Sequence, residues 1–169
     1  MAFGSVANYL ASGDVEVLKR NGSTYVKVYN SLGSALSEGH IVRIFPVVDT
    51  AASPDCVRLD VGVAVTNTAA AEFVGVVDNS PFGKSGIADA SYGWVCVEGQ
   101  CEAMGGATIS SANRQIEVLS GTSKKFIDAG AATSAARVIE AIGFNVDIAA
   151  DATLSTIYLY GVPVATKSS

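Results

Sequence analysis

Short runs of Val, Ile and aromatic residues fill most of this chain, broken at close intervals by Gly, Asn, Asp and Ser. That rhythm predicts strands and an all-β fold. The clearest unit is VEVLKRNGSTYVKVYN, residues 15–30. Asn21-Gly22 is a strong hairpin signal, because both turn positions need positive φ. As a two-residue loop it sets Val17 opposite Val26 and Val15 opposite Val28 on one side of the ribbon. On the other side Leu18 meets Tyr25 and Glu16 meets Lys27. One side is then apolar and the other carries an opposite-charge pair, so the register is self-consistent.

Further strands follow. Gly39 opens a strand in which Ile41, Arg43 and Phe45 alternate with Val42 and Ile44, and Pro46 is expected to interrupt it. DCVRLDVGVAVTN (55–67) and EFVGVVDN (72–79) show little polar alternation, which predicts burial on both faces. Residues 79–93 read as a loop by their turn residues. Residues 93–103, GWVCVEGQCEA, predict a second hairpin with Glu98-Gly99 as its turn. Near the end, residues 133–142 fit either a short helix or, from Arg137 to Ile142, a strand. A turn or short helix near Ala149-Ala150-Asp151 and a last strand at Thr156–Tyr160 complete the reading. The first fourteen residues lack strand periodicity and read as an apolar arm. The expected organisation is an N-terminal arm (1–14), a β-hairpin extension (15–34) and a β-barrel domain (35–169).

Length allows a core without metal or disulfide, since a domain of this size buries roughly 68–70% of its unfolded surface. Only 16% of residues are charged, below the ~25% of typical soluble chains, so the surface is thinly charged. Net charge is −5 and the basic residues are scattered. That leaves no electrostatic footprint for nucleic acid, and no nucleic-acid partner is expected. No apolar run reaches the ~18 residues of a membrane helix, and the N-terminal segment lacks the basic region of a secretory signal. Neither a membrane nor an export role is expected. Three cysteines are an odd number for a disulfide scaffold, which favours a reducing compartment during synthesis.

Catalytic chemistry finds little to build on. The one histidine, His40, has no nucleophile-elbow motif beside it and reads as structural or solvent-facing. FGKSG at 82–86 resembles the tail of a phosphate-binding loop, but Asp78 stands where that pattern needs Gly. Asp147 and Asp151 show no calcium-loop spacing. Cys96 and Cys101 lack zinc spacing. In the predicted hairpin they fall opposite each other as a possible cross-strand thiol pair, close enough for a disulfide with local adjustment and expected as free thiols. No catalytic, cofactor-binding or metal site is expected, and the chain is not expected to be an enzyme. A β-domain adhesin or fibre module that recognises a glycan or a host surface is the alternative, with Tyr92, Trp94 and Phe82 as candidate contacts.

The order of segments carries a resemblance. SEGHIVRI, VGVAVTN, ASYGWVCVEGQCEA, GATISSANRQIEVLSG, ARVIEAIGFNV and STIYLYG follow one another in a way that resembles the small β-rich capsid decoration (cement) proteins of tailed bacteriophages. Gly93, Trp94, Val95, Val97 and Gly99 match a first element, Arg137, Val138 and Ile139 a second, and Leu159 and Gly161 a third. Glu140-Ala141 and the Asn-Gly hairpin depart from the pattern, which covers roughly residues 35–162. The resemblance implies a compact β-barrel or tulip-like domain with at most one short helix. It implies binding to the outer face of a capsid assembled in the host cytoplasm, between subunits of the major capsid protein, as a dimer or trimer. An apolar arm adds a strand to a partner's edge by main-chain hydrogen bonds, which makes Phe3, Val6, Tyr9 and Leu10 the capsid-contact candidates.

Overall fold

The computed structural model describes residues 16–48, 57–63, 73–119, 124–129 and 141–161. Ten strands follow in chain order: β1 (Val17–Arg20), β2 (Ser23–Asn30), β3 (Ile41–Val48), β4 (Val57–Val63), β5 (Phe73–Val77), β6 (Ser91–Met104), β7 (Gln115–Val118), β8 (Phe126–Asp128), β9 (Gly143–Asn145) and β10 (Leu154–Tyr160). A short 3-10 turn, Ser80–Phe82, follows β5. The protein is all-β, as its alternation and turn residues predict.

Five strands close into a barrel in the order β2-β4-β3-β5-β6 and back to β2. Antiparallel neighbours alternate in direction, and an odd ring cannot close on alternation alone. One pair must run parallel, and it is β2 with β4, joined at Tyr29 and Asp60. The lumen is filled by Val26 and Val28, Val42 and Ile44, Leu59 and Val61, Phe73 and Val77, and Val95 and Val97. Each strand therefore sends every second side chain inward. Leu36 and Ile87, bridged to each other, join this core.

A second layer grows from the far half of β6. There β10 pairs with β6, β9 with β10, β7 with β9 and β8 with β7. A bridge from Phe126 to Gly105 brings β8 back to the end of β6. This layer covers the outer side of the barrel. Ile116, Val118, Phe126, Ile157 and Leu159 pack on Tyr25, Ile41, Val74, Val76 and Cys96. Strand β5 lies between the two cores, which is why all five of its residues are buried, as its unbroken apolar run predicts.

The Asn21-Gly22 hairpin forms with the predicted register, Val17 against Val26 and Leu18 against Tyr25. Asn21 and Gly22 both have positive φ, 51° and 81°, and Lys27 pairs with Glu16 at 2.6 Å. The hairpin is not an extension ahead of the barrel, because β2 is one of its staves and only β1 lies outside the ring. Pro46 does not interrupt β3. Among the described residues, pairing of β3 with β5 ends at Ile44 and Pro46 is paired with β4 only, a position that tolerates a missing N–H. The loop predicted over 79–93 is shorter, since Ser91–Gly93 already belong to β6. The arm (1–14) and most of the helix-or-strand segment (133–142) lie outside the described residues.

The larger correction concerns β6. Glu98-Gly99 is not a turn, and residues 91–104 form one continuous strand. Opposite β2, Tyr25 faces Cys96 while Thr24 faces Glu98, so Val97 is an extra residue, a β-bulge. Before it, Val95 and Val97 face the barrel lumen. After it, Cys101 and Ala103 face the second core. Gly99 carries φ of +92°, and a Cβ there would stand 2.7 Å from Ser23 Oγ and 2.8 Å from the Gly22 carbonyl oxygen. Gly22 has positive φ too, but its Cβ would meet nothing within 4 Å. Both Gly→Ala variants therefore strain the backbone, and only Gly99→Ala adds a collision. Denaturant titration is expected to show Gly22→Ala losing about 1–2 kcal/mol and Gly99→Ala losing clearly more, of order 3 kcal/mol. Equal losses would contradict the bulge as a packed feature.

Candidate functional site

At the end of β5 the chain turns through Asp78, Asn79 and Ser80 into a loop that returns at β6. Asp78 is buried there. Its Oδ2 accepts a hydrogen bond from the Tyr25 hydroxyl at 3.1 Å and its Oδ1 accepts one from Ser80 Oγ at 3.2 Å. Glu38 closes the loop from outside. Its two carboxylate oxygens accept the Ser80 N–H at 3.0 Å and the Gly86 N–H at 2.9 Å. A cavity of about 370 Å³ opens beside this group, bounded by Ser23, Tyr25, Asp78, Gln100, Cys101 and Glu102 among others.

Burial, together with the neighbouring Glu38 carboxyl, pushes the Asp78 pKa up to about 6, against the pull of its bonds from Tyr25 and Ser80. Burial, with Asp78 close by, likewise drives the Tyr25 phenol upward. The corner thus gathers two carboxyl groups, a phenol and two thiols where solvation is poor, and there the charged form of Asp78 is disfavoured. The neighbouring asparagine does the mechanical work. Asn79 Nδ2 donates to the Gly86 carbonyl at 2.7 Å and its Oδ1 accepts from the Trp94 N–H at 2.8 Å. Asn30 and Asn145, both fully buried, clamp other loops the same way. Asn30 Nδ2 bonds the carbonyls of Ser34, Ile87 and Ala88, and Asn145 Nδ2 bonds those of Ser111 and Asp147. Sequence reading passes over all three. Each follows or ends a strand, where an Asn that ties a loop looks the same as one that faces water.

Cys96 and Cys101 are both buried free thiols. They are not cross-strand partners, since β6 carries both. The bulge turns them to the same core, where the Cys96 thiol, with burial, raises the Cys101 pKa well above the usual value. A raised pKa at Cys101 means little thiolate and little reactivity there. His40 Nδ1 accepts the Ser37 N–H at 3.1 Å, and burial with Lys124 nearby lowers its pKa, so it serves the turn ahead of β3. Asp151 pairs with Lys125 at 3.0 Å, while Asp147 offers its carbonyl to Asn145, and the two share no site. The 82–86 segment ends its 3-10 turn at Gly83 without a following helix. Among the described residues no three His, Cys, Asp or Glu side chains gather to hold a metal ion, and no helix is long and apolar enough to cross a membrane.

Several aromatic residues group outside the two cores. Phe82 stacks on Trp94 with centroids 5.1 Å apart, and Tyr25 meets Phe82 edge-on at 5.3 Å. Tyr92, exposed, packs against Tyr29 at 5.0 Å. A separate group lies on β9 and β10, where Phe144 stacks on Tyr158 at 5.3 Å and nearly parallel, with Tyr160 at 6.0 Å. Exposed Leu154 continues that face and exposed Ile148 lies in the turn after β9. Thus Phe82 and Trp94, two of the three candidate glycan contacts, form one stack, and Tyr92 belongs to another pair. The capsid-contact candidates Phe3, Val6, Tyr9 and Leu10 lie outside the described residues. No family model, curated protein or solved structure matches the chain.

The Asp78 network sets a pH dependence. The folded chain holds this proton more tightly than an unfolded carboxyl of pKa 3.8 does. The associated stability is complete below about pH 4 and is lost as the pH rises through about 6. Asp78→Asn keeps an acceptor for Tyr25 and offers a donor toward Glu38. The variant is expected to gain on the native protein in denaturation midpoint between about pH 4 and about pH 7, because only the native protein loses this proton. A difference that stays constant with pH would contradict the raised pKa.

Proposed function

We propose that this chain is a non-enzymatic virion structural protein that binds the outer surface of a tailed-phage capsid and stabilises contacts between major capsid subunits. The observation that carries the reading is the aromatic face of β9 and β10, where Tyr158 and Tyr160 stay 39% and 38% exposed beside exposed Leu154. Large rings held on paired strands lose little entropy on contact, and tyrosine is enriched among residues that anchor interfaces. Both strands are paired in the sheet, β10 with β6 and β9, and β9 with β7, so the rings are held in place before contact, which lowers the ordering cost of binding.

The resemblance to capsid decoration proteins supports the choice of partner. Two of its segments, 93–99 and 159–161, lie side by side, with Leu159 opposite Gly99. In this reading the chain works as a homo-oligomer, a dimer or trimer, and the arm with Phe3, Val6, Tyr9 and Leu10 adds main-chain contacts to a capsid edge. Many modest contacts repeated over a shell give avidity, and binding the assembled lattice alone stabilises it by mass action. The glycan-binding alternative gains less support, because Phe82 and Trp94 spend ring faces on each other.

Purified protein added to expanded shells is expected to co-sediment with them and to raise their rupture temperature. Deletion of residues 1–14 is expected to weaken attachment while the melting of the free domain stays the same. Shells that rupture at the same temperature with and without the protein would contradict the proposal.

A further inference from the structure

Four aromatic rings on the outer surface carry a basic side chain of the chain itself. Arg20 lies over Phe82 at 5.8 Å, Lys27 over Tyr92 at 5.4 Å, Arg43 over Phe45 at 5.2 Å and Arg58 over Tyr29 at 4.3 Å. The Phe144–Tyr158–Tyr160 group is different. Its rings contact one another, and among the described residues no Lys or Arg stands over them. What flanks them instead is acidic. The register sets Glu98 opposite Tyr160, Gln100 opposite Tyr158 and Glu102 opposite Thr156. Glu98 is exposed, and one of its oxygens accepts a hydrogen bond from Thr24. A carboxylate has capacity for more donors than that.

We infer that this face binds a cationic side chain of a partner protein, an arginine carried on an extended basic segment that lies along β10. The inference rests on reading the face as a docking surface. It does not require the partner to be a capsid. The physical fit is specific. A ring presents negative charge on its face, and a guanidinium stacks there while its N–H fork reaches a carboxylate beside the ring. Tyr160 with Glu98 supplies both halves side by side. A lysine ammonium gains the charge attraction but neither the planar stack nor the bidentate bond. Seven residues of β10 span about 20 Å, enough for a short extended segment. An acidic molecule, net −5, draws such a segment in, and salt weakens the attraction.

The test uses the full chain and a capped Gly-Arg-Gly-Arg-Gly peptide as probe, followed through the aromatic and amide NMR signals of the protein. Saturable shifts are expected at Phe144, Tyr158 and Tyr160 and at the amides of Glu98 to Glu102. The same peptide with citrulline for arginine is expected to bind about tenfold more weakly or less, since it keeps shape and loses charge. Tyr158→Leu and Glu98→Gln are each expected to weaken binding severalfold with unchanged melting. If either variant melts early, Tyr160→Leu, at the open end of the strand, replaces it. Shifts centred on Tyr92 or Phe82, equal binding of the citrulline peptide, or no shift at millimolar peptide would each overturn the inference. The shell experiment separates the two ideas. Peptide binding without shell binding contradicts the capsid reading alone, and shell binding without peptide binding contradicts this one alone.

Discussion

One surplus residue in β6 makes the rest of the structure possible. A strand shows alternate side chains to opposite faces, so a regular β6 would keep odd-numbered residues in the barrel lumen throughout. The bulge at Val97 resets that phase. The first half of the strand fills the barrel with Val95 and Val97, and the second half gives Cys101 and Ala103 to the outer core. Gly99 supplies the positive φ and the missing Cβ that let β2 pass close by. Without this reset the second layer would present polar Gln100 and Glu102 to the core and could not cover Val74 and Val76.

The same device explains where the polar groups end up. Tyr25 and Cys96 are neighbours across the bulge, on the barrel's outer side, and Asp78 enters from β5 to meet the Tyr25 hydroxyl. These groups lie between two apolar cores, where water is scarce, and that sets the direction of the Asp78 and Tyr25 pKa values. On the solvent side of the second layer, the alternation that buries Ile157 and Leu159 turns Tyr158 and Tyr160 outward. The exposed aromatic face is thus a consequence of how the core is filled.

Much of the fold is legible from local pattern, because local physics decides it. Asn21-Gly22 fixes a hairpin register by the φ its turn demands, and the apolar run at 73–77 announces a strand buried on both faces. Glu98-Gly99 misleads for a related reason. A Gly with positive φ is equally at home in a two-residue turn and in a bulge, and only the neighbours β2 and β10 decide between them. Pro46 misleads because tolerance of proline depends on whether a strand has one neighbour or two, a matter of topology. The Asp78 network is illegible in sequence, since Tyr25, Glu38 and Asp78 are far apart along the chain and carry no motif.

The central claim is that β6 makes the barrel and the outer layer one cooperative body. Native-state hydrogen exchange, read amide by amide, tests this most directly. The account predicts that protected amides of β2, β3 and β5 and those of β7 and β10 open with the same free energy and the same denaturant dependence, as parts of one unit do. An outer layer that opens at distinctly lower free energy while the barrel stays closed would contradict it.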